Sequence, residues 1–131
     1  MYESKYWKYV SFNDLFPNLR ADIERLDTAS KGRSVYIWGA ATKGCLFLTH
    51  CAINNLLIDK VVFAIDQNPQ KIGKYLPGSH IPILSPEHLK EILPDVLIIF
   101  PWNLVEEISE ALSQYSTMRK VVFVPDYREI L

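Results

Sequence analysis

A chain of 131 residues, 49% of them hydrophobic, has material for one buried core, and a second full domain does not fit. Its 14 Lys and Arg against 15 Asp and Glu leave a net charge of −1, which supplies no basic field for nucleic acid or an anionic membrane, so a localised site is expected. The polar start Met1-Tyr2-Glu3-Ser4-Lys5-Tyr6-Trp7 does not read as a signal peptide and no apolar run is long enough to cross a bilayer, which predicts a soluble, cytoplasmic protein.

Residues 1 to 30 are expected to form a helical segment packed on the rest. Leu15, Leu19, Ile23 and Leu26 recur at helical spacing from Phe12 to about Ser30, giving one amphipathic helix or two joined near Pro17. Lys31-Gly32-Arg33 stops it, and Ser34-Val35-Tyr36-Ile37-Trp38 follows as a first strand ending at Gly39. A buried helix is predicted from Thr42 to about Leu57, a second strand over Val61 to Ile65, and strong turn chemistry at Asp66-Gln67-Asn68-Pro69. A long loop runs to His80, and Ile81 to Leu84 reads as a brief edge strand. Ser85-Pro86-Glu87 opens a short helix with Ser85 at the N-cap. A third strand over Val96 to Phe100, a helix from about Leu104 to Tyr115 and a fourth strand over Val121 to Val124 complete the pattern. Cys45 and Cys51 are six residues apart in one predicted helix and cannot share a face, so no disulfide is expected between them. Without a His/Cys cluster they are not a zinc site, and both read as small buried thiols.

Strands alternating with helices predict a Rossmann-like α/β fold: a three-layer sandwich around a parallel sheet of four to five strands, order 2-1-3-4, with right-handed crossovers and an N-terminal amphipathic helix. Ligands of such sheets bind beyond the strand carboxyl ends, where the strand order reverses. Gly39 to Gly44, Asp66 to His80 and Pro101 to Asn103 each follow a strand end, so they are expected to meet on one edge.

The turn Gly39-Ala40-Ala41-Thr42-Lys43-Gly44 would expose backbone N–H groups at the start of a helix and suits an anion. It lacks the second glycine of the dinucleotide fingerprint and the Ser or Thr that follows the lysine of a P-loop, and close strand–helix packing explains its glycines equally well. Lys43 opposes the helix dipole, which suggests an anionic partner, or it is a solvated charge. Asp66 occupies the place where Rossmann domains hold a ribose hydroxyl, and it is also a good turn starter. Trp102 with Asn103 offers a flat face beside an amide, suited to a base or sugar, although Asn103 could instead cap the next helix. His80 is a ligand candidate or a hydrogen-bonded structural histidine. No Ser/His/Asp set, paired-carboxylate constellation or metal cluster accompanies these residues, so a binding edge without catalytic residues is expected.

Three blocks together carry a resemblance. Gly39-Ala40-Ala41-Thr42-Lys43-Gly44, the stretch from Asp66 to Ile83, and Pro101-Trp102-Asn103-Leu104 with Glu107-Ile108 resemble the C-terminal domain family of sugar C-methyltransferases, over roughly residues 12 to 125. Trp38 stands where that family usually has tyrosine, and Cys45, Leu46, Thr49 and His50 replace a mostly polar stretch. The resemblance implies a module that encloses a nucleotide-diphosphate sugar, with Gly39, Ala40, Thr42, Lys43, Gly44, Asp66, Asn68, Lys71, His80, Trp102 and Asn103 as substrate contacts that act by positioning. It implies that S-adenosylmethionine and the acid/base residues belong to a companion methyltransferase domain, in cis or in trans, and that this chain holds no cofactor itself. Two other readings stand beside it. One is an interaction domain without a ligand, docking in part through Tyr6, Trp7 and Tyr9; the other is an NAD-type domain, which the missing second glycine disfavours.

Overall fold

The computed structural model describes residues 18–40, 42–115, 117–123 and 127–130, with the backbone alone described at 42–46 and 102. Among the described residues six strands form one sheet: β1 (Val35–Trp38), β2 (Val61–Ile65), β3 (Ile83–Leu84), β4 (Val96–Ile99), β5 (Arg119–Val122) and β6 (Arg128–Ile130), in the order β3-β2-β1-β4-β5-β6. The first five run parallel and β6 is antiparallel to β5. The predicted order of the four main strands is present, and Ile83–Leu84 is the expected edge strand. The sixth strand is an addition to the predicted four to five.

Strands buried on both faces read as unbroken apolar runs, and β1 and β4 are buried at every position. Alternate residues point to opposite faces. Val35, Ile37, Val96, Ile98 and Val121 join the layer of α1 (Leu19–Ala29) and α2 (Thr42–Ile53), where Ile23, Leu26, Phe47 and Cys51 are fully or almost fully buried. Tyr36, Trp38, Leu97, Ile99 and Val122 face Leu89, Ile108 and Leu112 in the layer of α3 (Val105–Ala111). Three layers result, as a Rossmann-like sheet requires.

Several boundaries differ from the sequence expectation. α1 is described from Leu19 onward, and the Phe12 to Pro17 portion lies outside the described residues, as do Tyr6, Trp7, Tyr9 and the predicted strand residue Val124. α2 stops at Ile53 rather than Leu57, because Asn55 and Leu57 take positive φ angles of 52° and 64° and the Asn54 amide bonds back to the His50 carbonyl. Leu57 donates its N–H to Asp27 on α1, which also holds the Lys60 ammonium. The helix opened by Ser85 is a 3₁₀ turn over Pro86–Lys90, and Ser85 makes no side-chain cap; its hydroxyl lies 3.4 Å from His88 Nδ1. α3 is shorter than the predicted Leu104 to Tyr115, and β5 begins at Arg119, two residues before the expected start. No helix among the described residues is long and apolar enough to cross a membrane.

Cys51 is a free, fully buried thiol on α2, while the Cys45 side chain lies outside the described residues. Burial, aided by the Asp27 carboxylate, pushes the Cys51 thiol from 9.0 up to about 12. The folded chain therefore keeps a proton that the unfolded chain releases once the pH passes the ordinary thiol range. The stabilising difference is complete below that range and is lost as pH climbs toward the folded value. Urea unfolding between about pH 9 and pH 11 is expected to show stability falling by roughly 1.4 kcal/mol per pH unit more in the parent chain than in Cys51→Ala. Equal slopes would mean that the thiol is not shielded.

Candidate binding crevice at the strand carboxyl ends

β1 delivers the chain to Gly39, whose N–H continues the ladder by donating to the Ile65 carbonyl at 2.8 Å. Gly39 has φ +110°, and a Cβ there would stand 3.0 Å from Pro101 Cδ. Only glycine meets both demands, so the first turn lies directly against the loop that follows β4. The next residue, Ala40, is gripped by the loop after β2. Its N–H donates to Asp66 Oδ2 at 2.9 Å, and its carbonyl accepts the Lys71 ammonium at 3.2 Å.

Asp66 also starts its own turn, because Oδ1 accepts the Asn68 N–H at 2.8 Å. Asn68 repeats the device with the N–H of Gln70, and its carbonyl receives the N–H groups of Lys71 and Ile72. The long loop is therefore compact. Gly73 and Lys74 exchange backbone bonds with Ile83, Tyr75 bridges Pro82, and Leu76 is buried in the α2-side core. Gly78 approaches Thr49 Oγ1 on α2, so the tip of the loop leans on that helix. His80 is exposed at this tip with φ 59°, its ring centroid 6.2 Å from that of Tyr75.

The three segments enclose a crevice of about 250 Å³ on the α3 side of the sheet, lined by Trp38, Gly39, Asp66, Gln67, Pro101, Leu104, Glu107, Ile108 and Ala111. It sits where the strand order reverses between β1 and β4. Among the described residues its polar lining is acidic or amide, from Asp66, Glu107 and Gln67, with no basic side chain. The remaining walls are apolar. Such a lining offers hydrogen-bond acceptors and a flat aromatic face to a hydroxyl-bearing ring, and repels a phosphate. At this volume, below the usual 300–1,000 Å³ or so of small-molecule pockets, it holds one ring rather than a whole nucleotide-sugar.

Of the residues singled out in the sequence, Gly39 and Asp66 line this crevice. Ala40 and Lys71 join them through the Asp66 grip, and Asn68 braces the loop. His80 is not among the lining residues. Asn103 is exposed in a 3₁₀ turn, Trp102–Leu104, beside the crevice. It does not cap α3, whose N-cap is Leu104 without a side-chain bond. Thr42, Lys43 and Gly44 form the first residues of α2, but their side chains, like that of Trp102, lie outside the described residues, as does Ala41. Sequence reasoning did not select Trp38, Gln67 or Glu107 as contacts. The signals were present, since Glu107 belongs to the third quoted block and Trp38 immediately precedes the first glycine. Among the described residues no group of His, Cys, Asp and Glu gathers to hold a metal.

Comparison with known proteins places these loops in a lineage. Residues 4–125 match the model of the C-methyltransferase C-terminal domain. The chain belongs to that family. It is 33% identical over 126 residues to the C-methyltransferase NovU of Streptomyces niveus, an alignment that takes in 93% of this chain and 29% of NovU. The chain thus spans less than a third of the length of that relative. Among solved structures, UDP-D-quinovosamine 4-dehydrogenase from Vibrio fischeri superimposes with a TM-score of 0.57 at 15% identity, covering 76% of this chain and 93% of that one. At that identity the likeness speaks for the Rossmann-like fold alone. The family accounts for the three loop blocks as one unit, because all three are drawn together by the Asp66 and Gly39 contacts.

Proposed function

We propose that this domain is the nucleotide-sugar-binding module of a sugar C-methyltransferase, and that the methyl donor, S-adenosylmethionine, is bound by a companion methyltransferase portion in cis or in trans. The observation that carries the proposal is the crevice at the strand carboxyl ends, with its acceptor-rich, partly aromatic lining. One ring of the ligand, sugar or nucleoside, enters it and gives hydroxyl hydrogens to Asp66 and Glu107. The diphosphate stays outside, toward the backbone N–H groups at the start of α2 and the Lys71 ammonium. The chain's own chemistry is to hold and orient, not to move a methyl group. A ligand only partly enclosed by this crevice needs the companion to cover the rest, and the Cys51 thiol suits a reducing cytoplasm.

Calorimetric titration with dTDP- and UDP-sugars tests the proposal. Binding is expected in the range of about 0.1–1 mM for the isolated chain. Glu107→Gln exchanges a charged acceptor for a neutral one without touching any structural bond and should weaken binding by roughly tenfold. Absence of heat at millimolar ligand would sink independent binding and favour an interaction domain that meets substrate only together with its companion. NAD and NADP serve as controls and are expected to give no heat.

A further inference from the structure

Trp38 closes β1 and is only 6% exposed, paired with Ile65 on β2 and Ile99 on β4. Its carbonyl accepts the Phe100 N–H at 3.0 Å, and the N–H of the next residue, Gly39, reaches the Ile65 carbonyl, so the ladder fixes the backbone on both sides. A side chain mounted there is held more firmly than one on a loop. The small part of Trp38 that stays accessible borders the crevice. Its indole N–H has no hydrogen-bond partner among the described residues and is not sealed in the core, so it opens into that space. The buried Trp38 and Ile108 form the inner part of the crevice, and the exposed Gln67 and Glu107 stand at its mouth.

An indole N–H can only donate and an ionised carboxylate can only accept. Water satisfies both in an open crevice, but a ring that fills the crevice displaces that water and has to supply an acceptor for the indole and a donor for the carboxylate. A planar imide carries the two side by side, as a carbonyl oxygen and a ring N–H, and its flat faces suit the apolar walls of Pro101 and Leu104. A sugar ring could also offer both groups, yet it has another obligation. Its reacting carbon must come within about 3–3.5 Å of the methyl group carried by the companion portion, and a crevice of about 250 Å³ that takes one ring would hold it away from that group. The ring left for the crevice is the base, and room for one ring limits the base to a pyrimidine. Resting on the assignment of the crevice to a nucleotide-sugar, we propose that it is the base pocket and that Trp38 sets its specificity. A uracil-type base enters, a carbonyl oxygen accepts the Trp38 indole N–H, the ring N–H is given to Glu107, and the sugar points out toward the companion.

The test follows the tryptophan indole N–H signals of the isotope-labelled chain by NMR. Trp7, Trp38 and Trp102 each give one, and Trp38→Phe identifies the signal of Trp38. The probes are dTDP-glucose, uridine monophosphate, which has the base without the transferable sugar, and glucose 1-phosphate, which has the sugar without the base. The Trp38 signal is expected to move downfield saturably with the first two and to stay in place with the third, uridine monophosphate binding about fivefold or more tightly than glucose 1-phosphate. Trp38→Phe keeps an aromatic ring, removes the donor and should weaken uridine monophosphate about tenfold. The indole signal of the parent chain decides the matter even if that variant folds poorly. A Trp38 signal unmoved by about 10 mM uridine monophosphate, or moved as far by glucose 1-phosphate, overturns the base assignment, and the nucleotide-sugar site stands if the Gly39 and Leu104 amides still respond to dTDP-glucose. Crevice amides that ignore dTDP-glucose overturn the site itself and the base assignment with it.

Discussion

Phe47→Ala is expected to remove about 3–5 kcal/mol of stability, a large share of what a domain of this size possesses. Phe47 is fully buried on α2, and its ring packs at a tilt against Phe100 and Phe123, with centroids 4.7 and 4.9 Å away. Those partners follow the ends of β4 and β5, so one side chain seats the helix across two neighbouring strand ends. Truncation leaves a cavity that the flanking strands, fixed by their ladders, cannot close. Because the side chain lies five residues into the helix whose start forms the first loop of the site, the loss should loosen the site as well as the core. Thermal unfolding is the direct measurement, with a fall in Tm of more than about 10 °C expected. Ile53→Ala on the same helix, where the side chain is 78% exposed, should change stability by no more than about 0.5 kcal/mol. Equal effects at the two positions would contradict the packing described for α2.

Asp66→Ala is the second large effect. Its carboxylate accepts one backbone N–H on each oxygen, from Ala40 at 2.9 Å and from Asn68 at 2.8 Å. Hydrogen bonds to a charged acceptor contribute about 1.5–3 kcal/mol each, and partial exposure of the loop brings the sum toward the lower end, to about 2–4 kcal/mol. The variant loses the carboxylate clamp between the first and second loops and keeps only the weaker contact of the Lys71 ammonium with the Ala40 carbonyl. Asp66→Asn keeps one acceptor oxygen but turns an amide NH₂ toward the other N–H, so it should cost about half as much. Urea unfolding gives the stabilities. Hydrogen exchange at the amides of Ala40 and Asn68 reports whether the loops have separated, and unchanged protection in Asp66→Ala would mean that the carboxylate does not hold them.

The dual role of Asp66 illustrates how far the sequence could be read. As a turn starter before Asn68-Pro69 it was legible, because an aspartate oxygen reaches the N–H two residues ahead by local geometry alone. Its bond to Ala40 spans 26 residues and exists only because β1 and β2 are neighbours, which no local pattern states. The four main strands were legible for a related reason. Their runs of buried Val, Ile, Leu and aromatic residues cannot be placed anywhere but in a sheet covered on both faces. β6 was not. Arg128-Glu129-Ile130 is short, with two exposed charged residues out of three, and it becomes a strand through pairing with β5 and the Arg119–Glu129 bridge, both tertiary. The end of α2 was overrun because Leu56 and Leu57 continue the apolar pattern, while the positive φ of Leu57 is held by Asp27 from another helix. Glu107 entered the crevice unnoticed for the same kind of reason. Its register on α3 is set by the 3₁₀ turn that precedes that helix, so the face it presents depends on geometry at Pro101–Leu104 that the sequence pattern leaves open.

The central claim is that the crevice beyond β1, β2 and β4 receives one ring of a nucleotide-sugar. Titrating the isotope-labelled chain with dTDP-glucose and recording which amides shift tests it most directly. Saturable shifts are expected at Gly39, Gln67, Leu104 and Ile108, weakened together in Glu107→Gln, with Val62 and Ile92 on remote surfaces unmoved. Shifts that avoid the crevice, or no shift at about 10 mM ligand, would contradict it.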